Sequence, residues 1–159
     1  MTGGSRGEYR FGDVLALARR SWVLQMAAAL ADRGYDGYRI SDAALVRTLL
    51  RGPTSIGPLG DVLGVTRQAA RKAVRSLEQR GFVSTAPDLH DSRRRNVVLT
   101  ASGEAYARAI VELIAELNRG LASEVGPGPL AAADMVLRAV IRDERLRHQA
   151  DRIPPPNRG

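Results

Sequence analysis

Five donor-bearing side chains, Arg67, Gln68, Arg71, Lys72 and Arg75, recur at spacings of one, four, five and eight residues, which lines them along one face of a helix. Forked and cationic donors of this kind suit guanine edges, adenine edges and phosphates. Thr66 stands just before them as a helix N-cap. A second basic group, Arg93-Arg94-Arg95, follows in a polar stretch that also holds Pro87, Asp88 and Asp91. Between Gly64 and Thr100 there are eight basic and three acidic residues, so +5 of the chain's formal +7 lies in one segment. All basic residues but Lys72 are arginine, and with the abundant Ala and Gly this points to a GC-rich coding bias. Such a bias scatters arginine and does not explain the concentration, which marks a polyanion as the partner to expect.

Other chemistries find little support. The chain has no cysteine, which excludes disulfides, thiolate metal sites, cysteine nucleophiles and thiol redox sensing. Its two histidines, His90 and His148, fall in no metal-helix spacing. His90-Asp91-Ser92 invites a hydrolase reading, but consecutive loop residues cannot converge on one atom as nucleophile, base and orienter. No metal, no cofactor and no enzymatic activity are expected.

The 159 residues, 44% hydrophobic and 26% charged, suit one globular domain over residues 11–150, with residues 1–10 and the proline-rich 151–159 expected to be disordered. Helical stripes run through Phe11–Arg33, a segment N-capped by Ser41 and stopped at Gly52-Pro53, Thr66–Arg80, a long segment after Thr100, and a shorter one after a break at Gly126-Pro127-Gly128-Pro129. Thr54–Gly64, with Gly57, Pro58 and Gly60, is expected to be at most a short helix held by packing. Phe82–Thr85 and Asn96–Leu99 read as strands of a hairpin with a long basic tip. The N-terminus lacks the apolar core of a signal peptide, and no run approaches the ~18 apolar residues of a membrane span, so a cytoplasmic location is expected. The stripes on residues 11–33, 104–125 and 131–145 exceed what one small domain covers, which calls for a second copy.

Helix, turn, helix and hairpin in that order predict a mainly α winged helix-turn-helix, its second helix in the major groove and its hairpin tip against backbone or minor groove. The run from Ser55 to Ala69, the exit Leu77-Glu78-Gln79-Arg80-Gly81-Phe82-Val83, and the stretch Asp91-Ser92-Arg93 leading into Leu99-Thr100-Ala101-Ser102-Gly103 together resemble the MarR (multiple antibiotic resistance regulator) family. The resemblance covers roughly residues 11–145. It implies a DNA-binding lobe over 35–100 and dimerisation helices over 11–34 and 101–149. It further implies a homodimer on a palindromic operator, most often a repressor and frequently released by a small aromatic or phenolic ligand. Carried onto this chain, Thr66, Arg67 and Gln68 meet DNA first, Arg93 enters the minor groove with Arg94 and Arg95 beside it, and Asp91 braces the wing by pairing with arginine. Trp22, Met26 and Tyr106 are candidates to line a ligand cavity, although such residues at these spacings more often form plain core. The competing function is a winged-helix module that docks a protein partner without specific DNA binding.

Overall fold

The computed structural model describes residues 9–91 and 93–156; expectations for residues 1–8 and 157–159, and for the serine of His90-Asp91-Ser92, fall outside them. The chain divides after Tyr38 into two compact units. The first carries α1 (Phe11–Ala31). Its expected inward stripe is buried at its C-terminal end, where Met26 and Leu30 are fully enclosed, whereas Val14 and Leu17 are exposed. By length and composition α1 is apolar enough to cross a membrane, although charged residues interrupt it and it holds no unbroken apolar run of span length. Arg19 and Arg20 lie at its middle, where each would cost roughly 2.5–3.5 kcal/mol in a bilayer.

The second unit contains α2 (Ile40–Leu49), α3 (Ile56–Leu63), α4 (Arg67–Gln79), β1 (Val83–Pro87), β2 (Arg95–Leu99), α5 (Ala101–Val125), α6 (Pro127–Val140) and α7 (Glu144–Ala150). Helix α2 is its hub, packing against α3, α4, α5 and β2. Leu45, Val46 and Leu49 from α2 share the core with Leu59, Val74, Leu77, Val97 and Ile110, each side chain stabilising by about 1.5–3 kcal/mol when fully buried. The strands pair antiparallel, Val83 opposite Leu99 and Pro87 opposite Arg95. Thr54 bonds the free edge of β2 by exchanging N–H···O contacts with Val97 at 3.1 and 2.9 Å. The result is the mainly helical winged arrangement expected from the order of elements.

Several boundaries differ from expectation for identifiable reasons. Ser41 is inside α2; the cap is Arg39, whose N–H donates to the Asp42 carboxylate at 3.0 Å, a stronger acceptor than a serine hydroxyl. The break before α6 is confined to Gly126 at φ +83°, and Pro127 already occupies the first helical position, where its missing N–H costs nothing. Helix α3 does form, with Pro58 in its first turn and Gly64 closing it in the left-handed region at φ +65°. Arg95 opens β2 instead of belonging to the tip. The helix over 131–145 ends at Val140, and a further helix, α7, follows after Asp143.

Candidate nucleic-acid interface

Helix α4 starts where Thr66 Oγ1 accepts the Ala69 N–H at 3.2 Å. Its inner side is secured by Ala70, Val74 and Leu77, and that burial leaves Arg67, Gln68, Arg71, Lys72 and Arg75 on the opposite side, Arg75 among the exposed ones. Small residues in α3 make this placement possible. A Cβ at Gly60 would come within 3.2 Å of the Val65 carbonyl, and one at Gly57 within 3.4 Å of the Arg67 guanidinium. Glycine thus lets the turn close on α3 and lets the Arg67 side chain lie along it.

The wing tip is built from local bonds. Asp88 Oδ1 accepts the N–H groups of His90 at 2.8 Å and Asp91 at 3.1 Å, and its Oδ2 accepts from the Asn96 amide at 2.7 Å. The His90 N–H first, then Asn96, hold the Asp88 carboxyl below its ordinary pKa. Asp91 accepts the Arg93 N–H at 3.0 Å and lies 3.5 Å from the Arg94 guanidinium. Arg93, Arg94 and Arg95 are all exposed, and Arg95 reaches the Thr85 carbonyl at 3.5 Å. Asp88 and Asn96 therefore share the bracing that the family resemblance implies for Asp91. An Asp three residues before another Asp in a turn, with Asn beyond it, is the signal that could have found them.

At the other end of α4 lies a buried polar cluster that the sequence did not reveal. Asp42, fully buried, accepts from Tyr106 Oη at 2.8 Å and from Arg80 Nη2 at 3.0 Å. The Arg80 guanidinium stands 5.4 Å from the Phe82 ring centre and 5.9 Å from that of Tyr106, and the two rings stack at 4.1 Å. Burial first, then the charge of Asp42, push the Tyr106 phenol above its ordinary pKa, so it stays a donor. Arg80 is committed inward, unlike the basic row on α4. Tyr106 is fully enclosed and spent on Asp42. The other two pocket candidates, half-buried Trp22 and buried Met26, belong to the first unit. Among the described residues no three His, Asp or Glu side chains gather as a metal site.

A cleft of about 530 Å³ separates α3 from α7, lined by Pro58, Asp61 and Val62 on one side and Glu144, Arg145 and His148 on the other. Gln149 Nε2 closes one end by donating to the Asp61 carbonyl at 2.7 Å, and Leu146 rests on Gly64. From α6, Arg138 donates to the carbonyls of Ala150 at 2.7 Å and Ile153 at 2.9 Å. Helix α7 thus joins α6 to the turn between α3 and α4.

A helix-turn-helix with an exposed basic second helix, followed by a basic two-stranded wing, defines the winged-helix class. The sequence model of the MarR family matches residues 37–94, which takes in α2 through most of the wing. The HTH-type transcriptional regulator PetP of Rhodobacter capsulatus is 30% identical over 94 residues, 59% of this chain and 57% of PetP. A probable transcriptional regulator from Pseudomonas aeruginosa superposes with a TM-score of 0.69 at 22% identity, over 83% of this chain and 97% of that one. An S. aureus MepR mutant bound to an oligodeoxyribonucleotide superposes at 0.52 and 16% identity, over 83% and 96%. Over residues 37–94 the chain is thus similar to the MarR family, and it spans little more than half the length of PetP.

Proposed function

We propose that this protein is a transcriptional regulator that binds double-stranded DNA, with α4 in the major groove and the wing along the adjacent minor groove. The observation that carries the reading is the row Arg67, Gln68, Arg71, Lys72 and Arg75, presented to solvent by a helix whose other side is locked into the core. The oligonucleotide bound to MepR and the regulator function in PetP's name support it by kinship. Thr66 to Gln68 meet the base edges, Arg93 enters the minor groove, and Arg94 and Arg95 lie nearer phosphates. The resemblance to the MarR family adds a cytoplasmic repressor to this reading, with release by a small aromatic ligand that prefers the free conformer over the DNA-bound one.

A homodimer on an inverted repeat completes the reading. Helix α6 has 14 residues and no buried side chain, with Met135, Val136, Leu137 and Val140 exposed. A helix so placed gains little from its own chain and is stabilised when a second copy covers its apolar face.

Selection of bound duplexes from a randomised pool tests the function. An inverted repeat with A·T-rich flanks is the expected product. A pool that shows no enrichment at near-physiological salt would reject DNA reading in favour of a protein-docking module. A monomer mass by light scattering at micromolar concentration would reject the dimer.

A further inference from the structure

We propose that Asp42, Arg80 and Tyr106 are positioning residues for DNA reading, coupling the exit of the recognition helix α4 to the long helix α5. The inference rests on the DNA-binding reading above and assigns a role to side chains that touch no DNA.

Arg80 caps the end of α4, where its Nε donates to the Ser76 carbonyl at 3.1 Å while Nη2 reaches Asp42 at the start of α2. Tyr106, on the second turn of α5, brings its hydroxyl to the same carboxylate. Three elements separated by 38 and 64 residues in sequence therefore end on one buried anion. A carboxylate so enclosed is tolerable only while paired and hydrogen-bonded, so the site admits one arrangement and resists intermediate ones.

The main chain beside it is equally tied. Thr100 Oγ1 donates to the Gly81 carbonyl at 2.6 Å and accepts the Gly103 N–H at 3.0 Å, and the Thr100 N–H bonds the Phe82 carbonyl at 3.1 Å. Gly103 packs so closely on Phe82 that a Cβ there would run into that residue's carbonyl. The first turns of α5 are thus bolted to Gly81 and Phe82, just beyond the Arg80 cap of α4. Because α4 is a rigid rod of 13 residues, a change of tilt at its exit displaces Arg67 and Gln68 at the far end, about 20 Å away at 1.5 Å per residue. Placement of base-reading groups tolerates little such error, whereas phosphate contacts from flexible arginines tolerate more. The cluster therefore governs discrimination between sequences more than affinity for DNA as such.

The decisive variant is Tyr106→Phe in the full chain, which deletes one hydroxyl and keeps the ring stack. Two readouts are taken. Duplexes selected by the wild type should bind about tenfold more weakly, the scale of one hydrogen bond to a charged group, while random-sequence duplex affinity and its salt slope stay unchanged. Amide hydrogen exchange at Ser76–Arg80 should quicken by roughly tenfold on the same scale, with α6 unaffected. Asp42→Asn should act in the same direction, and combining it with Tyr106→Phe should add less than the sum of the two. Arg80→Lys, which keeps the charge but loses the fork, should recover only part of the discrimination that Arg80→Gln loses.

An unchanged ratio of selected to random affinity in Tyr106→Phe, or a parallel fall in both, overturns the proposal. If the wild type selects no sequence, the DNA reading fails, and the exchange experiment still decides the coupling: unchanged protection at Ser76–Arg80 overturns it. Should Asp42→Asn fail to fold, Tyr106→Phe alone decides the matter.

Discussion

The two basic features of the second unit are held by opposite means. At the exit of α4, fully buried Asp42 and Tyr106 engage a half-buried Arg80, and the bonds join residues far apart in sequence. At the wing tip the bonds made by Asp88 and Asp91 span eight residues or fewer, and Leu89 between them is 94% exposed. Bonds of the first kind are shielded from water, whereas those of the second compete with it at each moment. The helix is thus placed rigidly and the tip only locally, a division that suits the proposed roles of a base-reading helix and a wing that follows groove width.

The largest effect expected is at the rigid end. Gly103→Ala sets a methyl against the Phe82 carbonyl and should cost more than about 3 kcal/mol, the upper range of overpacking. A shift in urea midpoint equivalent to less than about 1 kcal/mol would show that the seat of α5 yields and that the contrast with the wing is overstated. Next come the groups proposed to read bases. Arg67→Ala or Gln68→Ala should each cost about 1–3 kcal/mol and relax preference at particular base pairs. Arg93→Ala should weaken binding most on A·T-rich flanks, and Arg95→Ala should weaken all sites alike and lower the salt slope by about 1 for each phosphate no longer neutralised. Competition binding on a small panel of duplexes separates the patterns, and identical profiles for Arg67→Ala and Arg93→Ala would erase the distinction between helix and wing.

Removing the cap is smaller. Thr66→Ala should destabilise by about 1 kcal/mol, with faster amide exchange confined to the first turn of α4; no change in the Ala69 amide would show that the cap bond contributes nothing. The least effect is the acid response of the wing. Asp88 has a folded pKa below its ordinary 3.8, so its stabilising bonds are intact above that value and are lost as pH falls through the lower, folded one. NMR of the Asn96 side-chain amide should report a midpoint below 3.8, whereas a midpoint above it would mean that the carboxylate does not accept these bonds.

What could be read without coordinates was whatever local chemistry announces. Periodicity located α1, α4 and α5, Thr66 and Thr100 declared their helices' starts, and the change to a period of two between Phe82 and Leu99 disclosed the hairpin. The exposed row on α4 was legible for the same reason, since its apolar opposite side dictates which residues face out. The buried cluster was not. Asp42 sits in an ordinary cap position, and nothing local shows that Arg80 and Tyr106 arrive at its carboxylate. Helix α7 was overlooked for another reason: the apolar pattern fades after Ile141, yet Asp143 followed by Glu144 is an N-terminal signal, and Asp143 Oδ1 does accept the Leu146 N–H at 3.1 Å.

The attachment of α7 has a consequence for how such proteins diverge. The polar ties that dock it end on main-chain oxygens: Gln149 on Asp61, and Arg138 on Ala150 and Ile153. A carbonyl is present whatever residue carries it, so positions 61, 150 and 153 are free to change without a compensating change at 149 or 138. Paired substitutions, the usual trace of contact in a family alignment, would not accumulate across this junction. Helix α7 can thus remain docked on the turn of the helix-turn-helix through long drift while leaving almost no correlated record of having been there.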